Sequence, residues 1–357
     1  MYRLDLEELS KFSDQFAGDF SAIRIYVQCR LMSSGIIPNI YDIWTDRRRS
    51  PCCVVITTNP RTPFKSLKIS HLWTSPNLSV KEALSLIRQV PFDWQQPVIF
   101  QQLAVEGAND IVRSLVRSEH CSLKQSSVLR QLYYPSISCR SDPALIEDLR
   151  SEDLYLDSLR PGDSYEVNSN WELGQGEKTR QRIEFWLQHL PSVCIRTSSG
   201  RIVAQCLCSD YGTVGTVYAD HAYRRRGLAK IVVECCTQKL LNLEIGCPPY
   251  CHLDYSNAAS NEHARSIGFL DTNCDVVCVI SEPSIRKTFS GTSFWSNLTN
   301  LRPPILQPTA RHRPYHCTKG RPVASQGAIS LPLATFARIC RGSAVRHGCC
   351  FRTMFAL

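Results

Sequence analysis

The sequence predicts an α/β protein in which a mixed, twisted sheet is flanked by helices. Three observations carry that expectation. Short β-branched runs alternate with segments of helical apolar spacing. The 357 residues are 43% hydrophobic and 20% charged, which is enough apolar material for two domain cores and is not the composition of a collagen, a globally disordered chain or a small disulfide scaffold. The charge is also divided: Ile285–Leu357 holds 11 Lys/Arg and no Asp/Glu, which leaves 30 basic and 32 acidic residues in Met1–Ser284. The net charge of +9 therefore belongs to the tail, and charge alone gives little reason to read the near-neutral body as a nucleic-acid binder.

Taken in order, residues 23–29 and 53–57 read as short β-branched strands. Residues 80–90 have helical spacing at Val80, Ala83, Leu84, Ile87 and Val90. A strand over 97–103, a helix over 109–117 and a strand over 128–134 follow. The Ser- and Pro-rich stretch 135–143 reads as a linker. A second unit then opens with an amphipathic helix at 177–189, where Ile183, Trp186 and Leu187 sit among Arg and Glu. Residues 193–196 and 202–208 form a hairpin pair joined by 197–201. A strand at 214–219, a long helix at 227–241, a strand at 250–255, a helix at 258–267 and a strand at 275–280 complete the body. Residues 285–357 contain scattered Pro and Arg without a period, the composition of a low-order basic tail.

No stretch reaches the 18 consecutive apolar residues of a membrane span. The first 20 residues carry Asp5, Glu7, Glu8, Asp14 and Asp19, unlike a secretory signal or an Arg-rich transit peptide. Of 18 cysteines, 14 lie in the body, several inside apolar runs, which predicts buried reduced thiols. The spacings Cys206-x-Cys208 and Cys274-x3-Cys278 lack a second pair, so no zinc or other metal site is expected.

The chemistry-bearing stretch is Val214-Gly-Thr-Val-Tyr-Ala-Asp-His-Ala-Tyr-Arg-Arg-Arg-Gly-Leu-Ala229. A strand ends, a basic loop turns, and a helix begins at a glycine. The first N–H groups of a helix lack internal partners, and the helix dipole adds positive potential there. Gly227 permits close backbone approach, and Arg224, Arg225 and Arg226 add full charges, so the natural occupant is a pyrophosphate.

A second strand and helix follow, reading Tyr250-Cys-His-Leu-Asp-Tyr-Ser-Asn-Ala-Ala-Ser260 and then Arg265-Ser-Ile-Gly-Phe269. With these the sequence resembles the GNAT acyltransferase superfamily, whose acyl-CoA site has R/Q-x-x-G-x-G/A between its fourth strand and third helix, an Asn after the fifth strand, and a hydrophobic-Gly-Phe after the next helix. Arg224, Gly227, Ala229, Asn257, Gly268 and Phe269 occupy those places in order. Within the superfamily, Val167-Asn-Ser-Asn-Trp-Glu-Leu-Gly-Gln-Gly-Glu-Lys-Thr-Arg180, Leu190-Pro-Ser-Val-Cys194 and Tyr250-Cys-His-Leu-Asp-Tyr-Ser-Asn257 are similar to the glycine N-acyltransferase family, and the N-terminal half is similar more weakly, at 23–29 and Phe92-Asp-Trp94. The resemblance implies an N-terminal α/β partner domain over 1–143, a catalytic GNAT domain over 144–284, and a basic tail over 285–357 outside both.

It also implies a reaction: transfer of an acyl group from acyl-CoA, a co-substrate rather than a permanently bound cofactor, to the amine of glycine or a similar small amine. The thioester oxygen would be polarised by backbone N–H groups near Val217, Tyr218 and Ala219. The pyrophosphate would lie on Arg224, Arg225, Arg226, Gly227, Leu228 and Ala229, with Asn257 beside it. The sequence departs from the family at the catalytic groups. The base is a Glu just before the fourth strand, where this chain has Thr213, and the Tyr used by many members as general acid falls near Ala264. Asp210, three residues earlier, and His252, which shares a strand face with Asp254, are the candidate replacements; a strand histidine held by hydrogen bonds and an aspartate that fixes a turn are the bland alternatives. The runner-up functions are a GNAT acetyltransferase for another amine, or a degenerate acyl-CoA-binding protein. A monomer is expected, without membrane attachment, mitochondrial by family resemblance or else cytoplasmic. Nucleic acid is not expected, since the tail has no aromatic platform.

Overall fold

The computed structural model describes residues 1–64, 67–135, 149, 153–171, 174 and 176–283. Met1–Ser284 is one compact unit. The linker expected at 135–143 and the tail at 285–357 fall, but for Pro135, outside the described residues.

The chain opens with β1 (Tyr2–Arg3) and α1 (Leu6–Ser13), where Glu8 reaches back to the Asp5 N–H at 3.0 Å, closing the capping exchange that fixes a helix start. Next comes α2 (Ile23–Ser33). Here the expected strand at 23–29 is overturned. Nine of its eleven residues, Arg24 and Gln28 included, are buried, so the segment has no polar face and no 3.6-residue contrast to reveal it as a helix. Tyr26 donates to the Ile245 carbonyl at 3.1 Å and Arg24 to the Gln101 carbonyl at 3.1 Å, which wedges α2 between distant parts of the chain.

Strands β2 (Tyr41–Thr45), β3 (Cys53–Thr58) and β4 (Lys68–Thr74) run antiparallel in turn. Helix α3 (Val80–Ile87), capped reciprocally by Ser79 and Glu82, crosses over to β5 (Val98–Ala104), which pairs parallel to β4. Helix α4 (Ala108–Ser118) precedes β6 (Ser122–Gln125) and β7 (Leu129–Tyr133). The second half contributes β8 (Leu154–Asp157), α5 (Ser164–Asn170), α6 (Gly176–His189), β9 (Ser192–Thr197), β10 (Ile202–Cys208), β11 (Val214–Ala219), α7 (Leu228–Leu241), β12 (Tyr250–Asp254), α8 (Ala258–Ile267) and β13 (Leu270–Glu282).

The strands form two ladders. One runs β1-β2-β3-β4-β5-β13-β7-β12, with β6 on β13; the other runs β11-β10-β9-β8. The first ladder takes strands from both sides of residue 143, since β13 pairs with β5 and β12 with β7. Strand β3 is buried on both faces: Val54 and Ile56 join the core that continues into the second half, while Cys53 and Val55 join a smaller core under α3 and α4. That follows from the two-residue period of a strand covered on both sides.

Edge strands β11 and β12 meet at a single parallel bridge, Thr213 to Tyr250. Beyond it no pairing between them is recorded among the described residues, so the ladders splay apart there. The pairing of β11 with β10 also slips: Leu207 faces Gly215 but Gln205 faces Tyr218, and Thr216 has φ 51°. One extra residue in β11 makes this a β-bulge, which takes backbone groups out of the ladder.

Candidate active site

The splay is the natural place for a substrate. Its outer wall is β11, where Val217 is exposed and Tyr218 and Ala219 are half-buried beside the bulge. The chain then turns through 220–226 into α7. Asp220 accepts from the Ala222 N–H at 2.9 Å and pairs with Arg201; Arg224 donates to the Ala219 carbonyl at 3.2 Å; the Arg226 guanidinium lies 5.1 Å over the Tyr223 ring. Arg224, Arg225, Arg226 and Gly227 are exposed, Leu228 is buried and Ala229 half-buried. Arg225 has φ 63° and Gly227 φ 76°, left-handed conformations that curl successive amides into an anion-binding concavity. Gly227 caps α7 without a side chain, and a Cβ added there meets nothing within 4 Å. The cradle expected from sequence is thus an open, basic helix start. Asn257 lies across the splay at the start of α8, where its Oδ1 accepts from the Ser260 N–H at 3.0 Å. Gly268 ends α8 at φ 107°, and Phe269 packs on Tyr134 with ring centres 5.5 Å apart; these two act on the packing of α8.

The two candidate bases are already committed. Asp210 is fully buried. Arg182 donates to it at 2.8 Å, and the Tyr41 hydroxyl donates to its other oxygen. Burial, with Asp210 beside it, pushes the Tyr41 phenol well above its ordinary value, so Tyr41 stays a neutral donor. Burial opposes the charge on Arg182, but Asp210, Tyr41 and Tyr211 together outweigh it and the guanidinium is held more firmly protonated than usual. A carboxylate so engaged is an ion-pair partner, with a hydrogen bond on each oxygen and no exposure to solvent.

His252 is fixed by a chain whose direction can be read. The Phe20 carbonyl only accepts, so Gln131 Nε2, at 3.0 Å, donates to it. Gln131 Oε1 therefore faces His252 Nε2 at 3.0 Å, and that nitrogen carries the proton. Nδ1 is then bare and accepts from Gln102 Nε2 at 3.2 Å. Both ring nitrogens are occupied, and burial, with the Arg24 charge, lowers the pKa to about 3. Asp254 accepts from the Ser256 N–H at 2.8 Å and from the Ser127 hydroxyl, holding the turn after β12. Thr213 stands at the bridge between the ladders, its hydroxyl 2.7 Å from that of Ser209, and Ala264 is buried. Neither position offers a titratable group.

Sequence reasoning missed a polar cluster on the inner side of this bridge. Gly212, at φ 83°, brings the 209–213 turn so close to α2 that a Cβ would collide with Val27. The turn holds the Tyr211 ring against two buried cations, Arg24 at 5.0 Å and Arg182 at 5.4 Å. A lone Arg in the apolar run 23–29 was the available signal.

Comparison with known proteins agrees with this geometry. The family model described as "FR47-like protein" matches residues 193–276, which spans β9 through the first part of β13 and includes the splay and the cradle. Human glycine N-acyltransferase is 26% identical over 188 residues, covering 49% of this chain and 62% of that protein; the bovine enzyme of the same name is 22% identical over 218 residues, covering 57% and 72%. The chain is similar to glycine N-acyltransferases, and its residues 193–276 match a GNAT-like family model. An X-ray structure of a Drosophila protein is 16% identical, covers 79% of this chain and 98% of its own, and superposes with a TM-score of 0.63; it shares the fold. The family model thus covers β9 through the start of β13, and the human alignment spans less than two thirds of that relative's length. No helix among the described residues is long and apolar enough to cross a membrane.

Proposed function

We propose that this GNAT-family chain is an acyl-CoA-dependent N-acyltransferase whose acceptor is glycine or a similar small amine. The observation that supports it most is the conjunction, within fifteen residues, of a bulged edge strand splayed from its parallel neighbour and a basic, uncapped helix start. In this reading the pyrophosphate of acyl-CoA lies on residues 224–229, with the Arg side chains and the first-turn amides of α7 as donors. The pantetheine arm runs along β11 into the splay. Backbone N–H groups at Val217, Tyr218 and Ala219 polarise the thioester carbonyl. The neutral acceptor nitrogen attacks the carbonyl carbon; the C–N bond forms, the C–S bond breaks, coenzyme A leaves as its thiolate, and the nitrogen's proton passes to water. Water takes that role because Asp210 and His252 are committed elsewhere and Thr213 does not titrate. The chain would act as a monomer in the compartment that supplies acyl-CoA, mitochondrial by family resemblance.

The test is thiol release from benzoyl-CoA and acetyl-CoA by the full chain, with and without glycine. Glycine-dependent release supports the reading. Release that ignores glycine but follows another amine places the chain with the acetyltransferases. Thermal stabilisation by coenzyme A without any release favours the second reading, an acyl-CoA-binding protein, for which the absent titratable group at Thr213 speaks.

A further inference from the structure

We propose that Arg24 and Arg182 form a carboxylate-binding site for the acceptor, so that the amine substrate is held by a carboxyl group at the closed end of the β11–β12 splay. This rests on the acyl-transfer reading above and adds the acceptor's chemical class and the residues that select it.

The first observation is charge. Arg24 is 2% exposed and Arg182 5%. Among the described residues Asp210 is the one carboxylate that acts on Arg24 and the one that pairs with Arg182. His71 and His252, both beside Arg24, are neutral, since burial lowers each pKa to about 3. Among the described residues, the groups facing Arg24 and Arg182 from α2, β2, β4, β5, α6, β12 and the 209–213 turn thus leave one buried positive charge without a counter-ion. Buried cations are otherwise paired, because desolvation is costly.

The second observation is the donors. Arg24 Nη2, Gln28 Nε2, Arg182 Nε and Trp186 Nε1 are buried and have no hydrogen-bond partner among the described residues. They belong to one cluster. Arg24 Nε donates to Gln28 at 3.0 Å. Arg24 and Arg182 both bond Gln101, the first on its carbonyl at 3.1 Å and the second on its side chain at 3.2 Å. Arg182 lies 5.0 Å over the Trp186 ring, and both guanidiniums lie on Tyr211. Four orphan N–H donors and one unbalanced cation are what a carboxylate, acceptor-only and singly negative, would satisfy. Two buried acceptors also lack partners: Gln102 Oε1, and His71 Nε2, whose other nitrogen shares the Gln101 carbonyl with Arg24. They are suited to the N–H groups of an amine. The cluster adjoins the reaction site through Tyr211, whose carbonyl accepts from Tyr250 of β12 and which lies two residues before the bridge at Thr213.

The test reads Trp186. In the full chain, the indole N–H resonance of Trp186, assigned with Trp186→Phe, is followed while glycine, acetate or glycinamide is added. The expected result is a saturable shift with glycine and acetate, none with glycinamide, and a weakening of glycine by about tenfold or more in Arg24→Gln with coenzyme A affinity unchanged. Glycinamide shifting Trp186 as glycine does, or carboxylates leaving it unmoved in the unaltered protein, overturns the site; beyond the assignment, these comparisons need no arginine variant to fold. Thiol release separates this from the wider reading. A carboxylate that binds at Trp186 without supporting release sinks transfer and keeps the site, whereas release equal for glycine and glycinamide sinks the site and keeps transfer.

Discussion

Arg182 Nη2 donates to Asp210 Oδ1 at 2.8 Å in the interior of the protein, with both side chains almost fully withdrawn from solvent. The pair joins α6 to the turn that precedes β11, and Tyr41 ties the same carboxylate to β2. An aspartate three residues before Thr213 is therefore the counter-charge of a buried arginine, and both of its oxygens already accept hydrogen bonds.

Asp210→Asn follows from this. The substitution keeps the shape but leaves Arg182 and Arg24 buried without an anion. Breaking a buried pair costs about 3–5 kcal/mol, so the urea midpoint of the full chain falls steeply, and any lost activity tracks the unfolded fraction. A stable Asp210→Asn protein with abolished turnover would reinstate Asp210 as a base.

The cradle makes the opposite prediction, because its arginines are exposed. Arg224→Ala combined with Arg226→Ala leaves thermal stability within about 0.5 kcal/mol and weakens acyl-CoA by more than about tenfold, or about 1.4 kcal/mol. Calorimetric titration with coenzyme A decides it, and unchanged affinity would remove the pyrophosphate from this helix start.

Much of this site was legible in the sequence, and the parts that were not share a cause. The order β11, basic turn, α7, β12, α8 is written locally: apolar periods, the glycine at 227 and the capping asparagine at 257 each act within a few residues. Helix α2 was misread because burial on all sides erased its period, and β2 and β4 passed unnoticed because Tyr41, Asp42, Ser70 and His71 break the apolar runs. The polar cluster left only the lone Arg24 as a signal, for a related reason. It draws one or two residues each from α2, β4, β5, α6 and the 209–213 turn, so no spacing in the chain records it.

The buried histidines give a pH dependence. His71 and His252 are held neutral, each with its pKa lowered from about 6.5 to about 3. Below pH 6.5 the unfolded chain takes up protons that the folded chain refuses, so folding stability falls as pH drops from about 6.5 toward 3, and the loss ends below the folded pKa. Each group contributes up to about 1.4 kcal/mol per pH unit in that window. Urea unfolding at pH 7, 6 and 5 measures the slope, and His252→Gln reduces it. A midpoint independent of pH between 7 and 5 contradicts the neutral assignment.

The last prediction concerns the reaction's own pH profile. Where the family places a Glu, Thr213 hydrogen-bonds Ser209 at the bridge between the ladders, and both ring nitrogens of His252 are used. Asp210, Thr213 and His252 are then not in position to take the acceptor's proton, and His71, lowered to about 3, is too weak a base, so kcat/KM for glycine should rise with pH until the substrate's own ammonium has ionised, with no inflection from an enzyme carboxylate or imidazole just below it. Replacing glycine by an amine of lower pKa should move the whole profile by the difference between the two amines. His252→Gln, which preserves a donor and an acceptor beside Gln102 and Gln131, should leave the shape unaltered. A profile that stays fixed when the amine is changed, or that loses its limb in His252→Gln, would assign the proton transfer to the protein and require the His252 ring to leave its hydrogen-bond chain during turnover.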